Sequence, residues 1–315
     1  MLRRFFERRG LRRRRPGYHS QFGGLWTDRT DAGRELETRV RSGRIEEAAR
    51  GDLEHWIERG YVVFPNAVPA ADIDQYRAEL RRVWDEVDRR YQIEIDGTYF
   101  PLDPELRSEN YKLVDAYVHS ELARRLAFSP RIAAFLRQVF EREVLLFQSL
   151  SFERGSEQFV HQDTAYVVVS SPLELVASWI ALEDVEPGSG ELMYYPGSHR
   201  YDEFIFKSGA RNWNRQRDGD EVHMQYRRSL HEQAAERGLE LERFHPRKGD
   251  VLLWSADLAH GGSAITRKGA TRQSLVCHYC PADVRPYYFS YRAERRQTRE
   301  HAPGQLYCSS NYSLR

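Results

Sequence analysis

The chain has 315 residues, of which 40% are apolar, 12% aromatic and 30% charged, so it has enough apolar material for a substantial hydrophobic core. This composition excludes an intrinsically disordered chain and a small disulfide-stapled scaffold. The formal net charge is +1, but residues 1–15 hold eight arginines and one glutamate, or +7, which leaves −6 for residues 16–315 and excludes a nucleic-acid-binding body.

Cysteine and apolar content also indicate the compartment. Three cysteines, Cys277, Cys280 and Cys308, are too few for a disulfide framework, and their odd number predicts a reducing environment. No apolar run approaches the roughly 18 residues of a membrane-spanning helix. The N-terminus also lacks the apolar stretch of a secretory signal. We therefore expect a cytoplasmic protein without a membrane span.

The first predicted segment, residues 1–43, is a basic arm followed by an irregular stretch. Its second part, YHSQFGGLWTDRTDAG, contains glycines and polar residues without a regular apolar period. Residues 44–315 are predicted to form the folded domain.

Helical patterns dominate the first part of this domain. Apolar residues recur at helical spacing over 44–59, from residue 72 onward and over about 120–140, and YVVF at 61–64 predicts a short strand. Gly60 is expected to end the first helix and Pro130 to break the last.

The apolar period changes after residue 143. The runs VLLFQSLSF, LVASWIAL, ELMYY, DVLLW and RQSLVCHY are strand-like and separated by Gly, Pro and Asp turns. Strands without alternating helices predict an antiparallel barrel or double sheet. The fold class is therefore mainly β with flanking helices (α+β). A polar insertion at about 201–245 interrupts the strands, with a helix predicted at 225–237.

The segment FVHQDTAY contains His161 and Asp163, separated by one residue. On an extended strand such residues point to the same face, so their side chains would converge. His260, just after the strand-like run DVLLW, is the best candidate for a third ligand. Two histidines and one carboxylate with open positions between them form the facial triad of non-haem Fe(II) oxygenases.

Arg272 follows His260 by twelve residues and opens the strand-like run RQSLVCHY, with Ser274 on the same face. An arginine at the mouth of a small barrel pairs bidentately with a carboxylate. A dicarboxylic co-substrate could chelate iron through its 2-oxo acid end and meet Arg272 with its distal carboxylate.

Four motifs occur in a characteristic order: HQD (161–163), SWIALEDVEPGSGELMYYPGSHR (178–200), KGDVLLW (248–254) and HGGSAITRKGATRQSLVCHY (260–279). Over about residues 60–285 the chain resembles the phytanoyl-CoA dioxygenase family of Fe(II)/2-oxoglutarate oxygenases. The resemblance implies a double-stranded β-helix (jelly-roll) core. It also implies His161, Asp163 and His260 as iron ligands, and Arg272 as the anchor of 2-oxoglutarate. Lys112 and Gln148 fall near further co-substrate contacts of the family.

The activity implied by this resemblance is hydroxylation of a small-molecule or natural-product-type substrate, with O2 consumed and succinate and CO2 released. Halogenases of the family replace the carboxylate ligand with a small residue, so Asp163 favours hydroxylation. The alternative is a catalytically silent jelly-roll binding module, against which the complete triad and Arg272 argue. The resemblance names no substrate and no oligomeric state.

Several nearby residues are expected to have structural roles. His199, in YYPGSHR, is predicted to be a turn residue rather than a ligand, since hydrogen-bonded histidines outnumber metal-bound ones. His278 is expected to lie in the core or to line the pocket. Trp179, Trp254 and Tyr166 are predicted to be core residues, although Tyr166 is near enough to the triad to line the pocket.

The insertion and the arm each leave alternatives open. The insertion contains Gly209 and Gly219 as hinge candidates, and it is either a lid or a solvated surface excursion. A helical arm would place Leu2, Phe5 and Phe6 on one side, which would allow weak peripheral contact with an anionic membrane. A disordered tail that binds polyanions and a plain flexible terminus are the other two interpretations of the arm.

Overall fold

The computed structural model describes residues 17–287 and 297–314, and these contain six α-helices and thirteen strands. The helices are α1 (Ala32–Arg41), α2 (Arg50–Arg59), α3 (Ala70–Asp85), α4 (Glu121–Ala127), α5 (Pro130–Phe140) and α6 (Arg215–Glu236). The strands are β1 (Tyr61–Phe64), β2 (Gln92–Ile95), β3 (Thr98–Pro101), β4 (Lys112–Val114), β5 (Val144–Phe152), β6 (Val176–Ala181), β7 (Leu192–Tyr194), β8 (Glu242–Phe244), β9 (Val251–Ser255), β10 (His260–Gly262), β11 (Ser274–Pro281), β12 (Arg299–Ala302) and β13 (Gln305–Tyr307).

Two sheets form the β core. The main sheet has the order β1-β9-β6-β11-β5-β4-β2-β3 with antiparallel neighbours, and β13 adds to β5 in parallel. The small sheet has the order β10-β7-β8. Trp179 and Trp254 of the main sheet share a hydrophobic cluster with Leu192 and Phe244 of the small sheet, so the two sheets pack face to face. This double antiparallel sheet confirms the predicted jelly-roll core.

The helices α1 to α5 cover the other side of the main sheet. Their apolar faces form the largest hydrophobic cluster together with strand residues, including Leu53 of α2, Leu136 of α5 and Leu253 of β9. In α3, Ile73, Tyr76, Val83 and Trp84 are buried, as their spacing predicts. The mainly β class with flanking helices is therefore confirmed.

Residues 32–41 correct the prediction of an irregular segment up to residue 43. They form α1, and Leu36 is buried in the largest cluster. The inner face of this helix includes Arg39, whose guanidinium lies 4.3 Å from the ring centre of Trp26 and is paired with Glu141 at 2.9 Å. The aliphatic stem of Arg39 therefore occupies a position where the apolar period of an amphipathic helix needs an apolar residue. This is why the helix was not predicted from the sequence. The basic arm itself, residues 1–16, lies outside the described residues.

Other predicted boundaries are confirmed or shifted. The first predicted helix begins at Arg50 rather than near residue 44, after a short 3-10 turn at Glu47–Ala49, and it ends at Gly60 as expected. The helix of the insertion is longer than predicted, because α6 begins at Arg215, and Gly219 interrupts it with a positive φ of 78°. Among the described residues, no helix is both long and apolar enough to cross a bilayer.

Candidate active site

The three predicted ligands converge at the edge of the small sheet. His161 and His260 are opposite each other, and the backbone N–H of each donates to the carbonyl of the other at 2.8 Å. We expected Asp163 to continue an extended strand from His161. It instead begins the 3-10 turn Asp163–Ala165. The turn still directs its carboxylate toward the histidines, and the three sets of ligand atoms lie within 4.8 Å of one another.

Both imidazoles are held in the form that binds a metal. Nδ1 of His161 donates to the carbonyl of Phe159, and Nδ1 of His260 donates to that of Leu258, each at 2.9 Å. Their Nε2 atoms, left as lone-pair donors, lie 3.8 and 3.7 Å from Oδ1 of Asp163. Burial lowers the pKa of His161 to about 3, which keeps this imidazole neutral at physiological pH.

Asp163 is held as an ionised carboxylate by its surroundings. Burial, the largest influence, raises its pKa, but the neighbouring histidines His260, His278 and His161 act in the opposite direction, and the pKa lies below its ordinary value. Its second oxygen, Oδ2, accepts a hydrogen bond from Nε1 of Trp254 at 2.8 Å and lies 3.7 Å from Nε2 of His278. Trp254, predicted to be only a core residue, therefore orients the carboxylate of Asp163.

Arg272 is a buried cation that has no carboxylate in ion-pair contact among the described residues, although the more distant charge of Glu191 acts on it. Its side chain is 2% exposed, and within the described part of the chain no carboxylate forms an ion pair with it and Nε has no hydrogen-bond partner. The rings of Phe152 and Trp179 flank the guanidinium at 5.5 Å each, and burial lowers its pKa to about 10. We expected Arg272 to be the first residue of β11, but the strand begins two residues later, at Ser274.

The other predicted co-substrate residues differ in position. Gln148 of β5 lies opposite His278 of β11, and among the described residues neither polar atom of its buried amide has a hydrogen-bond partner. Lys112 of β4 forms an ion pair with Glu94 at 2.6 Å. Ser274 is fully buried, and it does not line the cavity that Lys112 and Gln148 share with the triad.

A cavity of about 170 Å³ contains the triad, Arg272, Lys112 and Gln148 in its walls. The remaining lining side chains are mixed in polarity and include Glu94, Tyr99, Gln158, Tyr166, Trp179, Trp254 and His278. Tyr166 also reaches the insertion, where its hydroxyl lies 2.5 Å from Nε2 of His223. The insertion therefore contacts the wall of the cavity beside His161.

His199 lies away from the triad, consistent with the structural role predicted for it. Its Nε2 donates to the carbonyl of Ile57 near the end of α2 at 3.2 Å, and burial lowers its pKa to about 3. The ring packs over Gly60, where a Cβ would approach Nδ1 of the imidazole to 2.5 Å. His199 thus joins α2 to the turn after β7.

This donor set fits an Fe(II) ion and a dicarboxylate. Two neutral imidazoles and one ionised carboxylate on one face, with the remaining positions open to a cavity, are typical of non-haem iron sites. A buried, unpaired guanidinium in the same cavity is costly until an anion pairs with it. The site has the ligand set of an Fe(II)/2-oxoglutarate-dependent oxygenase.

Comparison with known proteins identifies the family. Residues 56–274 match the family described as Phytanoyl-CoA dioxygenase (PhyH), and the chain belongs to this family. The peroxisomal phytanoyl-CoA dioxygenase of Rattus norvegicus is 23% identical over 248 residues, which cover 72% of this chain and 67% of the rat protein. The ectoine dioxygenase of Stutzerimonas stutzeri (strain A1501) is 24% identical over 239 residues, covering 73% and 76% of the two chains.

A solved structure shares the fold. It is the epimerase SnoN from nogalamycin biosynthesis, crystallised with Fe3+, alpha ketoglutarate and nogalamycin RO. The TM-score is 0.54 at 21% identity, over 76% of this chain and 86% of that one. The protein is thus an Fe(II)/2-oxoglutarate-dependent dioxygenase with iron as its metal and O2 as a co-substrate, and an enzyme rather than a silent binding module.

Proposed function

We propose that the enzyme hydroxylates a polar small molecule, with His161, Asp163 and His260 holding the iron and Arg272 holding the distal carboxylate of 2-oxoglutarate. One observation carries this assignment. Among the described residues that line the cavity, Arg272 is a buried cation with no carboxylate in ion-pair contact, whereas Lys112 is paired with Glu94. A dicarboxylate that spans from the metal to this guanidinium would satisfy both ends of the cavity.

The protein residues prepare the reaction by fixing orientation and protonation. His161 and His260 present Nε2 because the carbonyls of Phe159 and Leu258 hold their Nδ1 protons. Trp254 holds Oδ2 of Asp163, which leaves Oδ1 toward the histidines. Bound iron, with 2-oxoglutarate and O2, supplies the oxidising chemistry that releases succinate and CO2.

Lys112 and Gln148 are proposed as further co-substrate contacts. The amide of Gln148 is buried in the cavity without a partner in the described structure, so it is free to bond a carboxylate of the co-substrate. Lys112 provides a second cation, although Glu94 already pairs with it. Ser274 stays a prediction without support from the cavity lining.

The substrate class follows from the rest of the cavity. Glu94, Tyr99 and Gln158 offer polar atoms beside the triad that the proposed iron and co-substrate contacts do not use. Such a lining favours a polar natural-product-type molecule over a purely apolar one. The small molecules in the names of similar proteins, an ectoine dioxygenase and a complex of SnoN with nogalamycin RO, support the same class. The carboxylate of Asp163 favours hydroxylation over halogenation.

A cytoplasmic location is also proposed. Cys277, Cys280 and Cys308 are buried and are not joined in a disulfide among the described residues, and this fits a reducing compartment. Peripheral contact between an anionic membrane and the arm, residues 1–15, remains a separate proposal that is based on sequence alone.

The test is substrate-stimulated succinate release under Fe(II), 2-oxoglutarate and O2, across a panel of polar metabolites. We expect His161→Ala, Asp163→Ala and His260→Ala each to abolish metal-dependent turnover, because each removes one of three ligands. The control is His231→Ala, an exposed histidine of α6 that lies outside the cavity. Full activity in any triad variant would remove that residue from the metal site.

A further inference from the structure

The insertion contacts the chain segments that carry the proposed metal ligands through residues that do not line the cavity. The hydroxyl of Tyr226, on α6, accepts a hydrogen bond at 2.8 Å from the backbone N–H of Gln162, the residue between His161 and Asp163. Tyr226 is 2% exposed, so no water replaces this contact at the surface. A residue of the insertion thus fixes the backbone between two of the proposed ligands.

A second contact joins both ligand segments through one cation. Nη2 of Arg211 lies 2.5 Å from Oδ1 of Asp257 and 3.2 Å from Oγ1 of Thr164, and all three side chains are buried. Oγ1 of Thr164 also donates to Oδ1 of Asp257 at 2.5 Å. Thr164 follows Asp163 directly, and Asp257 precedes His260 by three residues.

Apolar packing follows the same arrangement. Val160 and Ala259, the residues immediately before His161 and His260, are buried in one hydrophobic cluster with Val222 and Leu230 of α6. The insertion is therefore not a solvated surface excursion. It packs against both segments that carry the proposed ligands.

We propose that the insertion, residues 201–245, is a scaffold of the metal centre, and that Tyr226 and Arg211 are positioning residues for the ligands. Buried groups outside the ligand set orient metal ligands in proteins, and their loss weakens metal binding. Arg211 and Tyr226 are suited to this role because each contacts a ligand segment and neither lines the cavity. This inference rests on the proposed roles of His161, Asp163 and His260.

The first experiment is Tyr226→Phe, which removes one hydroxyl and keeps the ring. Anaerobic titration of metal-free full-length protein with Fe(II) should show a Kd raised about tenfold relative to wild type. The matched control is Tyr195→Phe, because the Tyr195 hydroxyl also bonds α6, at Nδ1 of His231 (3.0 Å), but touches no ligand segment. The midpoint temperature of thermal unfolding of the metal-free protein should fall similarly in both variants, whereas the Fe(II) Kd should change only in Tyr226→Phe.

The second experiment uses Arg211→Lys, which keeps the charge but loses the planar guanidinium that places Nη2 between Thr164 and Asp257. We expect a similar rise in the Fe(II) Kd, with Arg215→Lys as the control, since Arg215 pairs with Asp220 on the exposed side of α6. If the wild type binds Fe(II) and both Tyr226→Phe and Arg211→Lys have the same Fe(II) Kd as the wild type, the proposal that the insertion is a scaffold is wrong. Absence of Fe(II) binding by the wild type would instead overturn the proposed ligand roles.

Discussion

Arg272 carries a positive charge in the wall of the cavity, between two aromatic rings and without a described carboxylate in ion-pair contact. A charge in such a place costs free energy in the unliganded protein. The same placement makes the guanidinium a strong partner for an incoming carboxylate, because water competes little for its hydrogen bonds. Binding of the co-substrate therefore relieves a cost that folding alone leaves in place.

Arg272→Ala should raise the concentration of 2-oxoglutarate needed for half-maximal turnover. Loss of a bidentate, partly dry ion pair costs on the order of 2–4 kcal/mol, which is a roughly 30- to 1,000-fold increase. Arg272→Lys should retain only part of the wild-type affinity for 2-oxoglutarate, since an ammonium cannot reproduce the planar fork of the guanidinium. The measurement is succinate formation against 2-oxoglutarate concentration.

Arg243→Ala, at an exposed position on β8, is the control for this pair. Co-substrate dependence that stays at the wild-type value in both Arg272 variants would show that another residue anchors the distal carboxylate.

The residues of the site differ in how far sequence could predict them. His161 and Asp163 are two positions apart in the sequence, so their spacing was sufficient to predict that their side chains converge. The contact from Trp254 to Asp163 joins residues 91 positions apart and depends on how β9 lies beside the triad. The position of His278 likewise depends on the register of β11 against β5. No local period encodes such a register, which is why Trp254 was predicted to be only a core residue.

At the scale of elements, Gly60 connects α2 to β1 in a conformation that few other residues adopt. Its φ is 80° and ψ is 8°, the left-handed region in which a Cβ is unfavourable. His199 occupies the space that a Cβ would need. The end of α2 and the turn that contains His199 are therefore fitted to each other.

Gly60→Ala should destabilise the protein by about 1–3 kcal/mol from backbone conformation alone, with a further loss from the displaced imidazole. Gly51→Ala is the matched control, because Gly51 is an exposed glycine inside the same helix and has no neighbouring atom within 4 Å of a built Cβ. That variant should be neutral or stabilised by up to about 1 kcal/mol. Free energies of unfolding from denaturant titration would test both, and equal values for the two would contradict the fit described here.

Element boundaries were predictable where an apolar period was continuous. The apolar stripe of α3 and the runs of β5, β6, β9 and β11 could be located from sequence. The short strands β2, β4 and β10 were not located, because they lack the uninterrupted apolar run that revealed β1 and are too short to show a period. Helix α1 was missed because Arg39 contributes to its buried face.

Limited proteolysis tests whether the insertion also acts as a lid. Because Arg211 and Tyr226 contact the ligand segments, binding of Fe(II) and 2-oxoglutarate should slow tryptic cleavage within residues 201–245 by linkage. A further decrease when a true substrate is added would support a lid. Cleavage at the exposed Arg89 and Arg90 should not change and provides the internal control. Identical cleavage of the insertion in all states would contradict both the linkage and the lid.

At the scale of the whole molecule, the chain divides its tasks between two hydrophobic regions. The helices and the outer face of the main sheet build the largest cluster, whereas the space between the sheets contains a smaller cluster and the cavity. The residues proposed to hold iron and 2-oxoglutarate by lining the cavity lie between Lys112 and Arg272, on the strands and loops of this second region. Stability and chemistry therefore depend on different faces of the same sheet.

Charge is also distributed unevenly over the whole chain. Residues 1–15 carry +7 and the remainder carries −6, so an anionic membrane would attract the arm and repel the body. Each basic residue near the headgroups contributes about 1 kcal/mol to such attraction. Two phenylalanines and two leucines among the arginines add apolar contacts for the interface.

Deletion of residues 1–16 should leave turnover of a soluble substrate unchanged, because every proposed site residue lies far along the chain from the arm. Sedimentation with anionic vesicles at low salt should fall on deletion if the arm contacts membranes. Neutral vesicles and high salt are the controls, since both remove the electrostatic attraction. Equal sedimentation of the full-length and shortened proteins would exclude membrane contact by the arm under these conditions. Loss of turnover on deletion would show instead that the arm belongs to the catalytic domain.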